Sequence, residues 1–256
     1  MAETVPTDEN FRSAYRALEA RMKALAEDEE NFYVPNPEPE GPVEYVLICM
    51  EPSLGRWAKP PAQAKARIEA GFRNFLPSDE IALLHFAVRH YLCEPEERYH
   101  ITDLSKGAML VKRSGHARAE RYAKWYPLLQ EEIELVAKPD ARIIAVGKQV
   151  YQFLKSRGFG RDFWQVIHYS GQAGRARKAE ATRQESSFKE FQGSVLKQDL
   201  AATAKEILTD ASVPKEIREK TLSKLGSFSL TTSRQQLLFH YKLRFESIRG
   251  SGTEDG

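Results

Sequence analysis

The segment "YVLICMEPSLGRW", residues 45–57, contains the clearest strand pattern in the chain. Its unbroken apolar run is typical of a strand that is buried on both faces, as strands of parallel sheets are. The run ends abruptly at Glu51 and Pro52. Proline fixes its own backbone angle and donates no hydrogen bond, so it ends the strand there. We therefore expect a carboxylate at the carboxyl end of a buried strand.

Three further segments have the character of strands: "YHITDLSKG", "ARIIAVGK" and "WQVIHYS". They alternate with helical patterns such as "EIALLHFAVRHYL" and "KQVYQFLKSRG". This alternation predicts an α/β fold, a three-layer α/β/α sandwich around a central, mainly parallel four-stranded sheet. In such sheets the ligand site lies beyond the carboxyl ends of the strands. Those ends carry Glu51, Asp103, Gly147 and His168, which should therefore converge.

Shifts in composition divide the chain into four predicted segments. Residues 1–40 contain an amphipathic helix and most of the proline-rich link "PNPEPEGP", residues 35–42. Residues 41–178 hold the α/β domain, and residues 179–249 form a helical C-terminal extension of amphipathic segments. The last residues, 250–256, have the composition of a disordered tail.

Composition excludes several classes of protein. Hydrophobic residues make up 41% of the 256 residues and charged residues 29%, which is ordinary for a soluble protein. No run approaches the ~18 apolar residues of a membrane span, and "MAETVPTDENFRS" lacks the apolar core of a secretory signal. Cys49 and Cys93 form neither a CxxC pair nor a metal-ligand set, which suits a reducing compartment. We expect a cytoplasmic protein without a membrane partner.

Charge is unevenly distributed along the chain. The formal net charge is only +2, yet basic residues outnumber acidic ones between Lys106 and Lys178. A basic segment in a near-neutral chain indicates a polyanionic partner, most simply nucleic acid. Solvated helix faces would give the same counts, so charge alone leaves both interpretations open.

Four short motifs follow the predicted strands in a fixed order. They are "CMEPS" from residue 49, "ITDLSK" from residue 101, "IIAVG" from residue 143 and "HYSG" from residue 168. Together they resemble the motifs of the uracil-DNA glycosylase superfamily: Gly-Gln-Asp-Pro-Tyr or Gly-Met-Asn-Pro-Gly, Ile-Thr-Asn-x-x-Lys, an apolar strand ending in Gly, and His-Pro-Ser-Pro. The resemblance covers roughly residues 43–178, and it points to the branch that acts on modified cytosine in phage DNA.

The resemblance implies a monofunctional DNA glycosylase that flips a base out of DNA, hydrolyses its N-glycosidic bond and leaves an abasic site. No metal and no cofactor are expected. Glu51 would hold or deprotonate the attacking water and stabilise positive charge on the sugar. His168 would donate a hydrogen bond to the O2 atom of the departing pyrimidine. Without the resemblance, Glu51 reads as a solvated loop acid and His168 as a histidine that satisfies a backbone carbonyl.

Asp103 departs from the family pattern in a way that bears on the substrate. An Asn here reads uracil in related members, but an ionised aspartate cannot donate to uracil O4. A carboxyl group that shares one proton with N3 and accepts from N4 fits cytosine instead. We therefore predict a cytosine-type base, with Asp103 as its reader. The alternative is that Asp103 caps a helix or pairs with Lys106, and that the base is read elsewhere.

Ser53 stands where one branch has a tyrosine that crowds the C5 position of the base. Serine leaves that space open, which favours a C5-modified cytosine, hydroxymethylated or glucosylated as in phage DNA, and a role in antiviral defence. Phe75 is the candidate for stacking on the flipped base, with Phe72 and Trp57 as alternatives.

The loop "SGQAGRARK" lies where the family has its intercalating wedge. Gln172 would probe the vacated stack, while Arg175, Arg177 and, on the other side, Lys106 would contact phosphates. Two other functions remain open: a uracil-DNA glycosylase of base-excision repair, and a non-catalytic DNA-binding protein on the same fold.

Overall fold

A computed structural model of the protein describes residues 8–29, 31–52, 61–77, 80–108, 118–210 and 213–251. Within these ranges the strands are β1 (Phe32–Tyr33), β2 (Val43–Cys49), β3 (Tyr99–Asp103), β4 (Gly107–Ala108), β5 (Ala137–Val146) and β6 (Phe163–Val166). The helices are α1 (Asp8–Asp28), α2 (Pro61–Glu69), α3 (Glu80–Ala87), α4 (Arg118–Val136), α5 (Lys148–Ser156), α6 (Gly174–Arg183), α7 (Glu185–Phe191), α8 (Lys197–Asp210), α9 (Lys215–Gly226) and α10 (Thr232–Gly250). A π-helical turn, Val88–Leu92, extends α3, and a 3₁₀ turn, Gly171–Ala173, precedes α6.

The predicted α/β fold is confirmed. A central four-stranded parallel sheet has the order β3-β2-β5-β6, it is flanked by helices, and the C-terminal helices are present. The register of β2 and β3 pairs Tyr45 with Tyr99 and Cys49 with Asp103. Strand β2 is buried along almost its whole length, as its apolar run predicts.

The described chain forms two compact units, and neither is continuous in sequence. The first comprises the described residues within Met1–Asn74, Arg98–Ile144 and Gln149–Phe163, and the second comprises those within Phe75–Glu97, Ala145–Lys148 and Trp164–Gly256. The boundary predicted at residue 178 falls inside α6, and the division into four segments stays a prediction.

In the first unit, α1 packs on α4 through one stripe of each helix. The cluster consists of Leu18, Met22, Ala26, Trp125 and Leu128, with Leu25 and Tyr33 at its edge. Its members on α1 recur at intervals of four residues, so the amphipathic pattern of α1 supplies the contact. Strands β1 and β4 form a separate antiparallel pair beside it.

In the second unit, α10 is the central helix. It contacts α3, the π-helical turn, α6 and α7, while α8 packs between α3 and α9. The buried residues of α10 include Leu237, Leu238, Tyr241 and Phe245, which explains why this polar-looking helix is so well anchored. Among the described residues, no helix combines the length and the apolar character that crossing a membrane requires.

Candidate functional site

Glu51 and Asp103 follow neighbouring parallel strands of the first unit. The hydrogen bonding of the two strands continues past their ends: the Leu104 N–H donates to the Cys49 carbonyl at 2.9 Å, and the Ser105 N–H donates to the Met50 carbonyl at 3.2 Å. These bonds hold the segment before Glu51 beside the segment after Asp103. The expected convergence of these two acids is therefore present within this unit.

Three side chains surround the Glu51 carboxylate. Arg118 Nη2 donates to Glu51 Oε1 at 2.9 Å, Arg121 Nη2 lies 3.7 Å from the same oxygen, and the Tyr122 hydroxyl donates to Oε2. The Glu51 side chain is only 6% exposed. Burial raises the pKa of Glu51 above its usual 4.5, while the charges of Arg118 and Arg121 work against that rise. Glu51 is thus a largely buried, oriented carboxyl group with raised basicity, and not a solvated loop acid.

The partners of Glu51 come from the first turns of α4. Arg118, Arg121 and Tyr122 are spaced three and four residues apart, so they share one helix face. Arg118 also donates to Gln149 Oε1 at 2.9 Å, which fixes both ends of its guanidinium. Sequence reasoning missed these partners, although their spacing on a predicted helix was a readable signal.

Asp103 is 3% exposed and has a side-chain partner. The Asn74 amide Nδ2 donates to Asp103 Oδ2 at 2.7 Å. Burial raises the pKa of Asp103 well above its usual range, and the charge of Glu51 adds to the rise, whereas Lys106 and the Asn74 hydrogen bond oppose it. Such surroundings favour the protonated form of the carboxyl group more than water does.

Lys106 does not contact phosphate as predicted, and that assignment is wrong. Its side chain is 1% exposed, and its ammonium donates to Glu132 Oε1 at 2.5 Å. Glu132 also accepts from His100 Nε2 at 2.9 Å and from Thr102 Oγ1 at 2.8 Å. Burial alone would raise the pKa of Glu132, but Lys106 and His100 lower it to about 2. Lys106 therefore belongs to a buried ion pair that ties the end of β3 to α4.

His168 lies in the second unit, two residues beyond β6. The Ser170 N–H donates to His168 Nδ1 at 3.1 Å. A backbone N–H can only donate, so Nδ1 is unprotonated and the ring proton of the neutral form sits on Nε2. Burial lowers the pKa of His168 to about 4. The imidazole is therefore neutral at physiological pH and has Nε2–H as its donor.

The absence of a side chain at Gly147 leaves space for the side chain of His168. A Cβ at this position would lie 3.3 Å from His168 Cβ, and the residue has a φ of +105°, which favours glycine. Its N–H donates to the Val166 carbonyl at 2.8 Å, so the turn after β5 is joined to the strand that carries His168.

Helix α10 holds the backbone next to His168. The Ile167 N–H donates to His240 Nε2 at 3.4 Å, and the Tyr241 hydroxyl donates to the Ile167 carbonyl at 3.1 Å. His240 Nδ1 in turn pairs with the Glu180 carboxylate. Both backbone groups of Ile167 are thus satisfied by side chains of one C-terminal helix.

Arg177 also stabilises the backbone around His168. This position differs from the phosphate contact predicted for it. It is 4% exposed, and its guanidinium donates to the Ser170 carbonyl at 2.9 Å and to the Ser233 carbonyl at 3.4 Å. A buried guanidinium that already holds two carbonyls stabilises the turn after His168.

Gln172 and Arg175 are exposed, as their predicted DNA contacts require. However, the expected wedge loop is a 3₁₀ turn followed by α6, with Arg175 in the first turn of that helix. The reason is propensity: the residues after Gly174 are mainly Arg, Ala, Lys and Glu, which favour helix.

Phe75 is 3% exposed and has a φ of 54°, which is unusual outside glycine. The His85 Nε2 lies 2.6 Å from its carbonyl oxygen. A base could reach this ring only if its neighbours moved, so stacking by Phe75 stays a prediction. Phe72 packs against a cluster around Val34 and Ala64. Ser53 and Trp57 lie outside the described residues.

Among the described residues, no three His, Cys, Asp or Glu side chains are grouped as metal ligands. No family model, curated protein or solved structure matches the chain.

Proposed function

We propose that the protein is a monofunctional DNA glycosylase that excises a cytosine-type base, modified at C5, and leaves an abasic site. The observation that carries the proposal is the pair of buried carboxyl groups, Glu51 and Asp103, at the ends of two adjacent parallel strands. Two acids with different partners in one place suit a reaction that needs both a base and a proton source.

Glu51 acts on water and on the sugar. Arg118 and Tyr122 hold its two oxygens, so the carboxylate keeps one orientation. Burial raises its pKa, which makes the ionised form a better general base for a water molecule. The same negative charge stabilises the positive charge that develops on the sugar as the bond breaks.

His168 acts on the departing base. Its Nδ1 accepts from the Ser170 N–H, so Nε2–H is the group that can donate to pyrimidine O2. A neutral imidazole fixed in place stabilises the negative charge that builds up on the base by hydrogen bonding, and it does not have to transfer its proton.

Asp103 supplies the proton that a cytosine ring nitrogen can share. Burial raises its pKa and so favours the protonated form, and moving that proton toward N3 makes cytosine a better leaving group. The C5 substituent lies away from this edge, so a hydroxymethyl or glucosyl group leaves these contacts intact. Excision of such bases from phage DNA in the cytoplasm would serve antiviral defence.

The test uses DNA duplexes that carry cytosine, 5-hydroxymethylcytosine, its glucosylated form or uracil, with alkali-labile sites as the readout. We expect strand breaks only with the modified cytosines. Glu51→Gln should abolish them, while Glu44→Gln, at the opposite end of the same strand, should keep them.

Other results would replace the proposal. Breaks at uracil alone would make the protein a uracil-DNA glycosylase. Binding to DNA without breaks in any substrate would make it a non-catalytic DNA-binding protein. Full activity of Glu51→Gln would refute the assigned mechanism.

A further inference from the structure

The hydrogen bond between Asn74 and Asp103 joins two segments that lie 29 residues apart. Asn74 stands in the turn after α2, where its N–H donates to the Pro35 carbonyl at 2.8 Å. Its amide Nδ2 lies 2.7 Å from Asp103 Oδ2, a short distance for such a bond. Nothing in the sequence motifs singles out Asn74.

The direction of this bond determines which oxygen of Asp103 accepts and which can carry a proton. An amide NH₂ group can only donate, so Oδ2 is an acceptor. When the buried carboxyl group carries a proton, that proton therefore belongs on Oδ1. Asp103 then offers its Oδ1–H group as a donor. The amide oxygen of Asn74, whose Nδ2 is already bonded to Asp103, is available as an acceptor.

We propose that Asn74 and Asp103 together read the hydrogen-bonding edge of the excised base: the Asn74 amide oxygen accepts from an exocyclic amino group, and Asp103 Oδ1–H donates to the adjacent ring nitrogen. This inference rests on the proposed function and identifies how its substrate is chosen. It makes Asn74 a specificity-determining residue.

The proposed edge fits cytosine and rejects uracil. Cytosine presents an amino donor at N4 and an acceptor at N3, whereas uracil presents an acceptor at O4 and a donor at N3. Uracil would place an acceptor against the Asn74 oxygen and a donor against the Asp103 hydroxyl. Two unmatched polar contacts in a buried site give strong discrimination.

A purely structural role for the same bond predicts something different. If Asn74 only tethers its turn to β3, its loss lowers stability and leaves the preference between bases unchanged. Asn36 offers a matched control, because it is 1% exposed and its Nδ2 donates to the Ile101 carbonyl of the same strand at 3.2 Å.

The experiment measures the binding of free cytosine, 5-hydroxymethylcytosine and uracil to the wild-type protein, Asn74→Ala and Asn36→Ala by NMR titration. The wild-type protein should prefer the two cytosines over uracil by about 10- to 100-fold. Asn74→Ala should reduce this ratio to near one, and Asn36→Ala should keep it.

Free bases bind without bond cleavage, so this result is independent of turnover. A cytosine preference that depends on Asn74, without abasic product from any DNA, would refute the glycosylase and keep the reader. Cleavage with a base preference that survives in Asn74→Ala would keep the glycosylase and refute the reader. Equal binding of the bases by the wild-type protein, or no binding, would also refute it.

Discussion

Glu132 is expected to stabilise the folded protein by about 3 kcal/mol, and the variant Glu132→Gln tests this. The pKa of Glu132 is about 2 in the folded protein and 4.5 for an ordinary glutamate. The difference of about 2.5, at 1.36 kcal/mol for each pKa unit, gives about 3 kcal/mol. The largest favourable part of this figure is the attraction to the buried Lys106 ammonium, which loses its counter-charge in the variant.

The stabilisation by Glu132 should depend on pH in a definite direction. Because the folded-state pKa is depressed, the stabilisation is complete above pH 4.5 and is lost as the pH falls toward 2. The linkage relation predicts that the wild-type protein and Glu132→Gln differ by about 2 kcal/mol less at pH 3 than at pH 7. Both free energies of unfolding can be measured by urea titration followed by circular dichroism.

The neighbouring residue provides the control. Glu131 is 43% exposed and pairs with Arg21 at the surface, so Glu131→Gln should change the free energy of unfolding little at either pH. The reasoning is refuted if Glu132→Gln is no less stable than Glu131→Gln, or if its deficit stays constant between pH 7 and pH 3.

Three further predictions concern the reaction and the DNA. Tyr122→Phe removes a donor from the Glu51 carboxylate, so the pKa of Glu51 should rise. The acid limb of the profile of kcat/KM against pH should then move to higher pH. An unmoved limb would contradict the contact. His240→Ala frees the backbone beside His168, so the pKa of His168, followed by histidine NMR, should rise from about 4 toward 6.5, and an unchanged value would show that α10 does not position it. Arg175→Ala should lower the slope of log affinity for DNA against log salt by about 1, and an equal slope would remove Arg175 from the interface.

The sheet could be predicted because each of its strands can be recognised from the residues within it. The apolar run of β2 and the alternation of strands with helices are properties of neighbouring residues. The pair of β1 and β4 could not be predicted, since each strand has only two residues and no periodicity to detect. Similarly, α6 begins inside a glycine-containing segment that resembles a loop.

The site was only partly predictable, for a related reason. Glu51 and Asp103 could be placed together because the ends of parallel strands meet at one edge of a sheet. Lys106 was misread because a count of charges does not report burial. Its partner Glu132 lies 26 residues away on a helix, and only the tertiary structure brings the two together.

The two acids at the strand ends differ in what surrounds them, and this difference divides their roles. Burial raises the pKa of both. Around Glu51 two arginines oppose that rise, whereas at Asp103 it is opposed by Lys106, whose ammonium is also paired with Glu132, and by the neutral amide of Asn74. The ionised form of Glu51 therefore has two charged partners, whereas the charged partner of Asp103 is shared with another acid. This difference suits the proposed roles, in which Glu51 acts on the water and the sugar as a carboxylate and Asp103 shares a proton with the base.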